Sequence, residues 1–547
     1  MLESRLSETS SPSFEDTASS RILQEDRNRS NQTSPIAGVI DPALRESSST
    51  KEATDAMQEA SYLSLSAMAE PTDRQSDVSR GLSFLSLLSA AMKVNGTNPT
   101  LPEGRNPSLT GSLADFRSHF ITEYDFLDKI DPSEPFQVFQ NAVVQSYPFI
   151  TEFELGAALA QIMDARKNGT FDQILNQDTG KVAIVYLGLA IGILLSSDYN
   201  YKELIANELI FKAVQLMTNV FDNATDLTMG QCLTALTIAS LFTTHGGSTW
   251  HLLGLAMMRC ISSGWHTARG PTFNSHDEDS RRKSRLLWSL YSLDTYISSS
   301  LDRPYCLNNE DILVSPPLSN TSSPNRSEDA SHRCLVQHAQ IIRNIRDDMD
   351  GEILSHFINL RHWKETLPGQ VNYSPLQQSH LYNRGLIEIL QQSRVILDPS
   401  CSMIAQHAEE SFIAFLDVYE GSLIQRESAP SALDSLQIFF IGIWMALRLS
   451  TNTAMSDIEG AHERYLHAIS WCMSILAQLS MRYPPVQSLR DILLELQLAH
   501  LSLGPPIQPD RLQRLVSESP ISISAGFRNV IFVGFPSRVE QQPRIRS

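Results

Sequence analysis

Histidines, a cysteine and acids crowd the centre of the chain. His245, His251, His266 and His276 share one stretch with Cys260, Asp277 and Glu278. These are zinc-ligand types. A helical zinc site sets two ligands on one face, at i and i+4 as in HExxH, and no such pair occurs here. His251 and Cys260 lie nine residues apart, which at about 100° per residue puts them on opposite helix faces. The chain's 6 cysteines are Cys232, Cys260, Cys306, Cys334, Cys401 and Cys472, and none forms a CxxC pair. No secretory leader is evident, so they are expected to be reduced, buried thiols. No metal ligand is assigned.

Two further chemistries fail on their own requirements. His245-Gly246-Gly247-Ser248 is faintly like an oxyanion loop, but such a loop works only with a GxSxG nucleophile elbow, and none is present. The glycines suit a tight turn before Ser248, whose hydroxyl can cap the next helix. Neither GxxxxGK[ST] nor a GxGxxG following a strand occurs, so no phosphate cradle is expected. No catalytic, cofactor-binding or DNA-binding residue is assigned, and the chain is not expected to be an enzyme.

Charge points the same way. Asp+Glu number 61 against Lys+Arg 43, a formal net charge of −18. DNA affinity comes largely from basic side chains displacing counterions, so this chain is a poor direct ligand for DNA. Arg281, Arg282, Lys283 and Arg285 open a helix, where positive charge opposes the dipole. Asp277, Glu278 and Asp279 are the expected partners. Asp294 sits in an apolar helical stretch, and an unpaired buried carboxylate is costly. Arg303, just before Pro304, is the expected partner.

Elements must position these residues. Residues 1–112 are rich in Ser, Thr, Pro and Asn and hold neither Cys nor Trp. Too little apolar surface is available to offset the entropy of ordering, so disorder is expected. Apolar patches at 56–69 and 81–92 interrupt it. From Leu113 the pattern turns helical, with Leu113, Phe116, Phe120, Tyr124 and Leu127 on one stripe. Two helical pieces meet at Tyr147-Pro148, and Asn168-Gly169 closes the second. Helices follow at 181–196, 201–221, 228–243 (with Asp226 as cap), 248–264 and 282–300. The composition of 316–329 marks a loop. Further helices are expected at 332–349, 352–366, 375–396, 403–425, 431–450, 458–482 and 485–502.

No strand alternation or βαβ rhythm is sustained, so the expected fold is all-α, one large body over 113–505. Residues 506–547 are expected to form a loose tail, with 521–535 either a strand pair or an apolar tether. The best membrane candidate, Val182–Leu195, gives only about 21 Å of helix against a roughly 30 Å hydrocarbon core. It is expected to be a core helix, and no membrane partner is foreseen.

The ordered motifs carry a family resemblance. Trp250, Gly254, Ala256, Arg259, Gly264 and His266 precede Arg285, Trp288, Tyr291 and Asp294. Arg303-Pro304, Asp311-Ile312 and Pro316-Pro317 follow. Tyr147-Pro148-Phe149 stands upstream, and Leu360, Trp363 and Leu367-Pro368 downstream. Over roughly 113–500 the chain resembles the regulatory, or middle homology, domain of fungal-specific transcription factors. It departs from that pattern at Trp265, usually Leu, at Thr267, usually basic, and at Asp302, usually Gly. The family's six-cysteine binuclear zinc cluster has no counterpart before Cys232.

The resemblance implies a nuclear regulator of metabolic genes, secondary-metabolite clusters among them. Its helical body would serve regulation and homo- or heterodimerisation. DNA contact, and any zinc, would come from a cluster missing at the N-terminus or from a partner. A small-molecule effector is a further expectation. The competing reading is an all-α sensor or protein-interaction scaffold outside transcription.

Overall fold

A computed structural model of the chain describes residues 130–196, 199–243, 249–267, 277–316, 326–348, 352–367, 371, 373–392, 401–425, 430–452, 460–500, 509–519, 521 and 523–534. The expected disorder over 1–112, the patches at 56–69 and 81–92, the stripe from Leu113 to Leu127, and the His245–Ser248 turn with its Ser248 cap lie outside these residues. Among the described residues the regular elements are helices, with no strand.

Local chemistry starts and stops the first helices. α1 (Ser133–Phe139) runs on through one π turn, Gln140–Val144. Tyr147-Pro148 then turns the chain, and Thr151 opens α2 (Glu152–Lys167) with a reciprocal capping box to Glu154. Gly169, at φ 68°, ends it in a conformation that glycine adopts without strain. α3 (Phe171–Gln177) leads into α4 (Thr179–Leu195). α4 is apolar all round, and every side chain from Val182 to Leu194 is buried. A helix of that kind must be wrapped on all sides. It is, by α1, α2, α3, α5 (Tyr199–Asn223) and α6 (Asp226–Leu241). Gly192 lets the backbone of α1 touch it: a Cβ there would fall 1.8 Å from the Pro135 carbonyl oxygen.

α7 (Thr249–Ser262) and α8 (Glu278–Leu301) follow, and α8 contacts α6, α7, α9 (Arg326–Asp347) and α13 (Ala432–Asn452). It thus joins the first helices to both later groups. α9, α10 (Ile353–Glu365) and α11 (Pro375–Leu390) pack mutually. The last group is α12 (Ser402–Gln425), α13, α14 (Ala461–Arg482), α15 (Gln487–His500), α16 (Pro509–Glu518) and α17 (Ala525–Gly534).

Four local expectations change. Thr225, not Asp226, caps α6, accepting the Thr228 N–H. The loop read at 316–329 ends earlier, since α9 begins at Arg326. Helices continue past 505, and 525–534 is α17 rather than a strand pair or a tether. Phe527, Val530 and Ile531 are buried at helical spacing, and the Phe527 ring packs on Phe440 of α13. Last, Ala432–Leu449 in α13 is long and apolar enough to cross a membrane, at a mean hydropathy of 1.5, and the sequence reading passed over it. Its window is 78% buried within the body, the position of a core helix.

Candidate functional site

The site grows from the middle of α8. Asp294 is 0% exposed, and so is Arg343 on α9. Arg343 Nη2 donates to Asp294 Oδ2 at 2.8 Å. Its other donors are also used: Nε to Thr295 Oγ1 at 2.7 Å and Nη1 to the Leu307 carbonyl at 2.5 Å. The guanidinium plane lies between two rings, 4.0 Å from Tyr291 and 4.1 Å from Tyr305. Asp294 in turn accepts from Ser298 Oγ at 3.0 Å and from the Cys306 backbone N–H at 3.0 Å. A buried ion pair is tolerable only when its remaining lone pairs and protons are satisfied, and here they are.

The expected Asp294–Arg303 pair is therefore corrected. Pro304 directs the chain away after α8, and Arg303 is exposed, with its guanidinium 5.9 Å from the Trp250 ring. The carboxylate still pins the exit of the helix, through the Cys306 N–H. Its cation comes from the next helix.

Around this pair, aromatic side chains tie elements to one another through single polar tips. Trp250 Nε1 donates to Ser298 Oγ at 3.2 Å, which joins α7 to the Asp294 carboxylate through one hydroxyl. Trp288 Nε1 donates to the Ser315 carbonyl at 3.1 Å, and Tyr291 OH to Asn309 Oδ1 at 2.7 Å. Both hold the loop after α8. Tyr296 OH meets His338 Nδ1 at 2.9 Å, and the His338 ring packs 4.6 Å from Trp363. Trp363 Nε1 donates to the Cys334 carbonyl at 3.0 Å. Tyr147 of the entry segment packs against the same cluster, and the Phe149 carbonyl accepts from Gln231 Nε2 at 2.9 Å.

Burial sets the protonation of this core. It pushes Tyr291 and Tyr147 up to about 12, and Tyr296 well above its usual range. Burial and the neighbouring Asp294 carboxylate push the Cys306 thiol up to about 12. Burial drives His332 and His338 down to about 3. Near neutral pH the phenols and the thiol keep their protons and the histidines are neutral, a set suited to holding shape rather than to nucleophilic attack.

A second polar junction sits at the end of α8. Asp302 adopts a left-handed conformation, φ 52° and ψ 47°. Glycine takes that conformation without strain, which accounts for the usual Gly here. Asp tolerates it as well, and its carboxylate adds contacts that a glycine lacks. Oδ1 accepts from Arg346 Nη2 at 3.5 Å, and Oδ2 accepts the Ala525 N–H of α17 at 2.9 Å. Arg346 also donates to the Ser299 carbonyl at 3.1 Å and lies 3.7 Å from Glu388. Burial raises the Glu388 carboxyl, while Arg346 and Arg384 oppose that shift.

The other singled-out residues have structural settings. Arg281 pairs with Glu278, and Lys283 with Asp279, as expected, whereas Arg282 reaches Glu154 at the start of α2. Arg259 donates to Asp226 at 2.5 Å, and Ser263 to the same carboxylate at 2.6 Å, fastening α7 to the first turn of α6. Gly264 turns at φ 71°, Trp265 is buried beside Gly230 of α6, and the His266 carbonyl accepts the Leu313 N–H at 2.8 Å. Cys260 is buried at 0% exposure. His245 and His276 lie outside the described residues, and among these no group of three His, Cys, Asp or Glu is placed for a metal. Sequence reading missed Arg343, Arg346 and Glu388, and also a groove of about 320 Å³ lined by Ile413, Arg464, His467 and Trp471.

No curated protein matches the chain in sequence. Residues 155–357 match the family model of the fungal specific transcription factor domain. That span includes Trp250, Asp294 and Arg343, while Trp363, Glu388 and α17 lie beyond it. The buried Asp294–Arg343 pair and the Trp250, Trp288 and Tyr291 ties thus lie within the span, residues 155–357, that is similar to the fungal specific transcription factor domain.

Proposed function

We propose that the chain is a nuclear transcriptional regulator of metabolic genes, acting through its helical body. The observation that carries this reading is the family match over 155–357. With a formal net charge of −18 over its length, the chain is ill suited to hold DNA by itself, so DNA contact falls to another module or to a partner subunit. The same body would serve homo- or heterodimerisation. Secondary-metabolite clusters are among the expected targets.

Chromatin immunoprecipitation of the tagged chain, together with transcript profiles after gene deletion, tests this reading. The expected result is enrichment at promoters whose transcripts change on deletion. An unchanged transcript profile under every inducing condition, with the protein excluded from the nucleus, would end it.

The groove between α12 and α14 favours an effector-sensing role, within transcription or outside it. Trp471 and Ile413 give it an apolar wall, and Arg464 and His467 a polar rim. Thermal stabilisation of the whole chain across a metabolite panel checks that role. Loss of the shift in Trp471→Ala would place the ligand in the groove.

A further inference from the structure

The last helix is held differently from the central ones. α4 and α13 are each wrapped by several neighbours, whereas α17 lies along α13 and meets other elements at isolated points. Its hold has an apolar part and a polar part. The Phe527 ring packs 4.9 Å from Phe440 and 6.4 Å from Phe439. Val530 and Ile531, one turn on, are 0% exposed. Phe439 and Phe440, the ring partners of Phe527, are also 0% exposed.

The polar part is at the N-terminus of α17. First-turn N–H groups have no partner within their own helix. Ser524 Oγ accepts the Phe527 N–H at 3.1 Å, and Asp302 Oδ2 accepts the Ala525 N–H at 2.9 Å. A carboxylate there also suits the helix dipole. Gly526 fits closely on α11's end, since a Cβ would fall 2.3 Å from Gln391 Oε1. The same Asp302 ends α8 and faces Arg346, one helical turn beyond Arg343 on α9. One side chain therefore links the closure of α17 to the end of the helix that carries Asp294. A short helix that packs along one helix and meets α8 and α11 only at their ends forfeits few contacts on opening, so it can open while the rest stays folded.

We propose that α17 is a strap that opens as a unit, uncovering the Phe439–Phe440 strip of α13, and that Asp302 is the catch that ties its closure to the exit of α8. Closed, the strap keeps two aromatic rings from water. Open, it exposes them to solvent as an apolar strip. The inference is independent of the transcriptional reading.

Hydrogen exchange by mass spectrometry on the full chain tests it with three variants. In the wild type, 525–534 exchanges faster than 436–447 of α13. Asp302→Gly keeps the left-handed backbone and removes the catch, so exchange of 525–534 rises about fivefold, the effect of a lost N-terminal cap, while 335–345 of α9 is unchanged. Asp302→Asn retains a carbonyl acceptor and stays within about twofold of wild type. Phe527→Ala removes the ring anchor without touching Arg346, and raises exchange of 525–534 at least about tenfold. The proposal is overturned if α17 exchanges at the rate of α13 in every form. It is equally overturned if α9 accelerates along with α17 in Phe527→Ala, because the strap would then not be separable from the body.

Discussion

Arg343 meets Asp294 at 2.8 Å, with both side chains 0% exposed, across the interface of α8 and α9. Removing one member leaves the other as an uncompensated buried charge, which costs about 3–5 kcal/mol. Asp294→Asn and Arg343→Met should each lower the unfolding free energy measured by denaturant titration by that amount, and the double variant should be less unstable than the sum. Arg303→Ala is the control. That exposed guanidinium has a single ring contact, at 5.9 Å, and its loss should cost about 1 kcal/mol or less. Equal effects from Arg303 and Arg343 would contradict the pairing.

Arg482, at the end of α14, donates to the Phe242 carbonyl at 2.7 Å and to the Leu194 carbonyl at 3.3 Å. It thereby caps the C-terminal ends of α6 and α4, where a cation is favoured. Arg482→Ala should destabilise the chain by about 2–3 kcal/mol, because buried carbonyls lose a charged donor. A fragment ending near 360, just past the matched span, lacks this cap as well as Trp363. It should give neither near-ultraviolet dichroism nor a cooperative melt. A cooperative melt of that fragment would show that the match is a folding unit by itself.

Acid should weaken the fold through two core histidines. His332 and His338 have folded values of about 3, against about 6.5 when unfolded. Between those values the unfolded chain binds more protons, so stability is fully present above pH 6.5 and falls as pH drops towards 3. At pH 5 the loss is about 2 kcal/mol for each histidine. Arg285 faces His332, and Arg384 and His380 face His338, which reinforces the neutral forms. Tm measured from pH 7 to 5 should fall, and His332→Leu should remove about half of the fall.

Gly192→Ala tests the approach of α1 to α4. A methyl group there would sit 1.8 Å from the Pro135 carbonyl oxygen, a backbone atom that no rotamer change can move aside. The expected cost is at least about 1–3 kcal/mol, seen as a lower Tm with enhanced proteolysis at 133–144. Gly254→Ala, where a Cβ would meet nothing within 4 Å, should leave Tm unchanged or raise it slightly.

The helical body was legible in the sequence because its signals are local. The all-apolar run that became α4 and the proline and glycine stops at 148 and 169 can be read without a partner. The need of Asp294 for a cation was legible too, since a carboxylate stood in an apolar stretch. The identity of that cation was not. Arg343 looks like any basic residue on an amphipathic helix until α9 folds back against α8, and a search along the chain stops at the nearer Arg303. The same reason hid Asp302. As a letter it only departed from a glycine pattern, and its meaning depends on a left-handed backbone and on an N–H beyond residue 520. α17 misled in another way, because Val530, Ile531 and Val533 favour a strand until the rings of α13 select the helical spacing.

The cap supplied by Arg482 has a consequence during synthesis. Its acceptors, the carbonyls of Phe242 and Leu194, precede it by 240 and 288 residues. At about 5–20 residues per second, the ends of α6 and α4 emerge roughly 10–60 seconds before the side chain that closes them. Through that interval the ends of α4 and α6 lack the charged donor that closes them in the folded body, so completion of the N-terminal core waits on a residue made near the end of the chain.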